Sequence, residues 1–161
     1  MPSIKDRSSV GTPAGAVPGA SGPVVLATLA LRPDPTAEQM AIDSCLEAGA
    51  RLILVNAVQI PMYPTTMIVA GASAMVLPHE DDRVAVRAAG DRIAALGIPV
   101  EVIGLFSSRP VKAIVRLLGE RNASLLVFGP LLSEVGRLRL RTATRRLRRD
   151  ANCLVWVAPD G

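Results

Sequence analysis

Apolar and polar positions fall into a repeating order from residue 23 onward. Pro23-Val24-Val25-Leu26-Ala27-Thr28-Leu29 is a short apolar run, the pattern of a strand buried on both faces. Pro33-Asp34-Pro35 breaks it. Thr36 then opens a predicted helix, with Gln39 three positions on completing a capping box. Ala37, Met40, Ala41, Ser44, Cys45 and Ala48 form its buried stripe, and Gly49 ends it. The segment 51–58 (RLILVNAV) predicts a second strand, 99–106 (PVEVIGLF) a third, 124–128 (SLLVF) a fourth and 153–158 (CLVWVA) a fifth. Between the second and third, a helix is expected over 80–96 with Val84, Val86, Ala89, Ile93 and Ala94 as its apolar positions and Gly97 as its stop. Ser108 is expected to cap a helix carrying Val111, Ile114, Val115 and Leu118 that ends by Asn122. A loop over 129–136 leads into an arginine-rich helix.

Five strands alternating with four helices require parallel pairing and right-handed crossovers. The fold class expected is α/β: a three-layer, doubly wound, five-stranded parallel sheet of order 3-2-1-4-5. Ligands in that architecture sit outside the carboxyl ends of the strands where the order reverses, here between the first and fourth. Residues 1–22 are rich in Gly, Pro, Ser and Ala without periodicity, which predicts a disordered tail ahead of a domain over 23–159. Gly11, Gly15, Gly19 and Gly22 follow no strand and open no helix, so they form no phosphate loop.

Composition narrows the function. The aromatic residues are Tyr63, Phe106, Phe128 and Trp156, too few for a platform that stacks single-stranded nucleic acid. Cys45 and Cys153 supply neither a disulfide framework nor a zinc site, and both read as small buried hydrophobes. His79 is the single histidine, which argues against a Ser-His-Asp triad. The acidic run Glu80, Asp81, Asp82 beside it suits a helix N-terminus, so no enzyme is expected. No apolar stretch reaches the ~18 residues of a membrane helix, and no apolar segment follows the N-terminal charges, so a cytoplasmic protein without a secretory signal is expected.

The formal net charge is +4, and its placement matters more than its size. Seven arginines lie between Arg137 and Arg149 with no acid among them, and the other 11 of the 18 basic residues face 14 acidic ones. The chain is a near-neutral domain with one cationic element. Arg137, Arg141, Arg145 and Arg148 or Arg149 recur on one side of that helix, and Leu140, Ala143 and Leu147 on the other. This is a solvated amphipathic face or an anion-binding face for an acidic protein, lipid headgroups or nucleic acid. Contacts to nucleic acid would go to phosphate with little sequence preference, and nucleic acid is not the expected partner.

The stretch Ala123-Ser-Leu-Leu-Val-Phe-Gly129, then a loop, then 142–158 (TATRRLRRDANCLVWVA) resembles the ending of the universal stress proteins, and VVLATLA followed by a helix and GARLILVNAV resembles their opening. The resemblance implies an adenine-nucleotide alpha-hydrolase-like fold. ATP-binding members carry Gly, two residues, Gly, nine residues, then Gly-Ser or Gly-Thr, because glycines let backbone amides approach phosphates at a helix N-terminus. Gly129 matches the first position. The second falls on Leu132, and the third on Thr142 by direct count or on Arg141 if the loop is one residue shorter. Only Thr142 survives as a hydroxyl partner. Such members end the first strand in an Asp that touches the nucleotide; the matching position here is Leu29. The expectation is therefore a degenerate nucleotide site and no cofactor. The alternative is ATP binding, with at most slow hydrolysis and Arg141 as a phosphate clamp.

The resemblance also implies a homodimer through the last strand, edge to edge about a two-fold axis. Val155 and Val157 would share one face, with Leu154 and Trp156 on the other. Trp156 either anchors that interface or fills the core beneath a helix. The apolar segment 60–77 (IPMYPTTMIVAGASAMVL) is expected to fold over the sheet crevice; an exposed patch of this kind would mark an interaction surface.

Overall fold

The computed structural model describes residues 22–60, 80–131 and 135–158. The tail 1–21, most of the apolar segment 60–77 and His79 lie outside these residues. Five strands, β1 (Val24–Thr28), β2 (Leu52–Gln59), β3 (Val100–Ser107), β4 (Leu125–Phe128) and β5 (Leu154–Val157), alternate with four helices, α1 (Pro35–Ala48), α2 (Glu80–Ala94), α3 (Pro110–Glu120) and α4 (Arg137–Asp150). All strands pair in parallel in the order β3-β2-β1-β4-β5. The sheet is the expected α/β, doubly wound, five-stranded one.

Every residue of β1 is buried, because it is the central strand and both faces are covered. Val24 and Leu26 face α1 and α2 in one core, with Ala37, Ala41, Cys45, Ala89 and Ile93. Val25 and Ala27 face α3 and α4 in a second core, with Ile114, Leu118, Ala143 and Leu147. Each fully buried Leu or Ile stabilises the fold by roughly 1.5–3 kcal/mol relative to exposure. Trp156 packs half-buried against the first core, while Val155 and Val157 face the second. β5 is an edge strand, and Leu154 on it is 76% exposed.

Two helix starts differ from the sequence reading for one reason. Pro35 and Pro110 each occupy the first helical turn, where the missing N–H costs nothing and φ is already helical. The cap therefore falls on the residue immediately before each proline. Asp34, not Thr36, caps α1, its carboxylate accepting from the Thr36 N–H at 2.8 Å. Gln39 donates instead to Asp43 on the next turn. At α3 the cap position is Arg109, not Ser108, and no side chain caps the helix. The stripe of α1 also shifts: Ile42 is buried in place of Ala48, which is exposed. In α2, Val84 is 59% exposed, so the buried positions are Val86, Ala89, Gly90 and Ile93. The stop at Gly49 follows the sequence reading, with φ +61, and its N–H donates to the Cys45 carbonyl. No helix among the described residues is long and apolar enough to cross a membrane.

Candidate functional site

The carboxyl ends of β1, β2 and β3 and the N-termini of α3 and α4 converge on a cavity of about 470 Å³. Leu29, just past β1, forms part of its floor and is 7% exposed. Gln59, at the end of β2, accepts a hydrogen bond from Arg139 Nη2 at 2.6 Å. Ser108, Thr142 and four cations complete the polar lining: Arg109 and Lys112 from α3, Arg139 and Arg146 from α4. Its volume is in the range of small-molecule pockets. Sequence reasoning missed Arg109 and Lys112. The signal was present: two cations at the start of a helix, where the dipole favours acids.

The candidate residues Leu29, Gly129, Arg141 and Thr142 do not form one constellation. Leu29 and Thr142 share the cavity. Arg141 lies on the other flank of α4, where it lines a separate concavity of about 720 Å³ with Arg137, Arg145 and Arg148. Gly136 is the N-cap of α4, so Arg141 and Thr142 are the fifth and sixth helical residues rather than the helix start. The expectation of Arg141 as a clamp at a helix N-terminus is corrected accordingly. The helix begins at Arg137, directly after Gly136, so position 141 lies one turn inside it.

Gly129 is glycine for packing. A Cβ there would overlap that of Ala37 and lie 3.3 Å from that of Ala158. Its N–H donates to the Ala27 carbonyl at 3.1 Å, and its carbonyl accepts from the Asp34 N–H at 2.9 Å. A bridge between Pro33 and Pro130 ties the two loops together. Both backbone groups of Gly129 are thus committed inside the protein. After Leu29 the chain turns through Ala30 at φ +56, a left-handed conformation that costs a non-glycine residue roughly 1–2 kcal/mol. The Thr28 hydroxyl secures that turn by donating to the Leu31 carbonyl at 2.7 Å.

The sequence profile of the universal stress protein family matches residues 22–159. The chain belongs to the universal stress protein family. Among solved structures, a universal stress protein from Archaeoglobus fulgidus is similar at TM-score 0.60 and 20% identity, covering 84% of this chain and 97% of that one. A universal stress protein from Lactobacillus plantarum matches at TM-score 0.60 and 14% identity, over 86% and 98% of the two chains. A structure of the universal stress protein from Archaeoglobus fulgidus in complex with dAMP matches at TM-score 0.58 and 18% identity, over 86% and 98%. No curated protein matches this chain. Within a universal stress protein fold, then, Leu29 stands just past a strand end where such a sheet receives ligands, and Thr142 of α4 lines the same cavity.

Among the described residues no cluster of His, Cys, Asp or Glu could hold a metal. Cys45 and Cys153 are both free. Burial pushes the Cys45 thiol up to about 11. Burial also raises that of Cys153, against a hydrogen bond with the Leu126 backbone that lowers it. Neither is an activated nucleophile, since reactivity follows thiolate character.

Proposed function

We propose that this universal stress protein is a stress-linked binding or regulatory module that acts as a homodimer, with a nucleotide site that has degenerated and no catalytic role. The observation that supports this is the pairing of Leu29 with Gly129. The first is a buried hydrocarbon at the position matching the family's nucleotide-binding Asp; the second has its amide and carbonyl both engaged within the protein. A purine nucleotide seated there loses a partner for each buried polar group, at about 1–3 kcal/mol apiece. Two such losses reduce affinity by roughly a hundredfold or more. The exposed edge of β5, with Leu154 protruding and Val155 and Trp156 half-buried, supports pairing with a second copy.

Calorimetric titration of magnesium-ATP into the purified chain tests the reading. Magnesium-ATP is expected to bind no more tightly than magnesium-tripolyphosphate, and adenosine not at all in the submillimolar range. Affinity gained from the purine overturns it.

A second reading rests on α4. Arg137, Arg141, Arg145 and Arg148 are exposed on one flank, and none makes an ion pair among the described residues. Such a face suits an acidic protein partner. Reversing charge at Arg145 and Arg148 should abolish capture of that partner; an unchanged binding profile removes this second reading.

A further inference from the structure

The cavity between α3 and α4 has an electrostatic imbalance that the fold corrects only in part. Helix N-termini carry a positive partial charge and normally attract acidic residues or a capping side chain. α3 and α4 have neither: no side chain caps them, and no acid stands in the first turn of either. Cations stand there instead, Arg109 and Lys112 on α3 and Arg139 on α4, with Arg146 two turns along. No acid lines the cavity, and none of the four cations forms an ion pair among the described residues, although the Asp150 carboxylate one turn on from Arg146 attracts it through space. At α3 the N–H groups of Val111 and Lys112 meet no acceptor among the described residues. Like charge is thus concentrated at two helix ends whose dipoles oppose it.

We propose that this cavity binds a compact oligophosphate: a small anion with two or more phosphoryl groups, held through phosphate oxygens alone. The four cations serve as charge-assisted donors. The hydroxyls of Ser108 and Thr142 and the free amides of α3 add neutral donors. Leu29 supplies an apolar floor and no group that reads a base. The site rests on the degenerate-nucleotide reading only in its indifference to the purine. It differs from a phosphate loop after β4, because its donors come from the α3 terminus and from the flank of α4 that bears Thr142.

The test is calorimetry at low ionic strength with inorganic tripolyphosphate, fructose 1,6-bisphosphate and ATP as probes. Tripolyphosphate or the sugar bisphosphate is expected to bind in the micromolar range, and the tighter of the two identifies the source as inorganic or sugar-linked. The double variant Lys112→Gln/Arg146→Gln should weaken binding by about a hundredfold, a tenfold loss per charged donor. Arg145→Gln/Arg148→Gln, on the other flank, should leave it unchanged. Equal weakening by the two double variants means a diffuse cationic helix and overturns the site, as does failure of both phosphate probes to bind. ATP binding much tighter than tripolyphosphate overturns the degenerate reading while leaving the phosphate site standing. Without any anion, Lys112→Gln/Arg146→Gln should melt at or above the temperature of the parent chain; a lower one means these cations serve the fold and not a ligand.

Discussion

At the scale of single residues, small side chains decide the loops around the crevice. Gly129 admits no Cβ because Ala37 of α1 stands against it. Gly129→Ala is expected to destabilise by about 1–3 kcal/mol through overpacking, measured by urea unfolding. Ala30 presents the opposite case. Its φ of +56 suits glycine better, and Ala30→Gly should gain up to about 1 kcal/mol, the relief of strain exceeding the added freedom of the unfolded chain. Cys45 sets a pH dependence. Its folded pKa is raised to about 11 from 9.0, so between these values the unfolded chain releases a proton that the folded one keeps. Stability present below pH 9 is lost as pH rises toward 11, by roughly 2–3 kcal/mol over the whole window. Urea unfolding at pH 8 and pH 10.5 should show the fall, and Cys45→Ala should flatten it. The identity of Leu29 was plain in the sequence. The commitment of Gly129 to Ala37, Ala27 and Asp34 was not, because those contacts join elements that only the folded sheet brings together.

Among the elements, the sequence disclosed kind and order better than termini. The apolar run of β1 and the stop at Gly49 were legible because burial on both faces and left-handed backbone each leave a local mark. The start of α1 was misread because Thr36 and Gln39 imitate a capping box, whereas Pro35 places the cap at Asp34. A pair of variants separates the two: Asp34→Ala should cost about 1 kcal/mol in thermal or chemical unfolding, and Gln39→Ala less than about half of that. The start of α4 was legible, because the loop over 129–136 ends in Gly136 and the helix begins at Arg137, although no acid stands in its first turn and no side chain caps it. At its other end Asp150 accepts two hydrogen bonds from Arg149, which hold its carboxyl below the usual range. That ties up one arginine of the last turn and leaves Arg148 beside it for the outer flank.

For the whole molecule, the doubly wound sheet separates its surfaces. One face carries α1 and α2 and the other α3 and α4, so the arginine-rich helix lies on the latter. The topology was legible because parallel strands oblige a crossover of known hand. The cavity was not, since Arg109 and Arg139 lie thirty residues apart in the chain and meet only when α3 and α4 pack side by side. Association belongs to this scale. Leu154→Lys adds charge to the open edge of β5 and should convert a dimer to a monomer in sedimentation equilibrium with little loss of fold. A wild-type chain that sediments as a monomer at tens of micromolar contradicts the dimer directly.

Trp156 carries a last consequence. The sole indole of the chain sits half-sheltered on the outermost strand, touching the packing beneath α1. Its ultraviolet emission therefore originates from one spot at the rim. Capping of that rim by another subunit should shift the fluorescence to shorter wavelength and shield it from acrylamide, so the protein reports its own assembly without an attached dye.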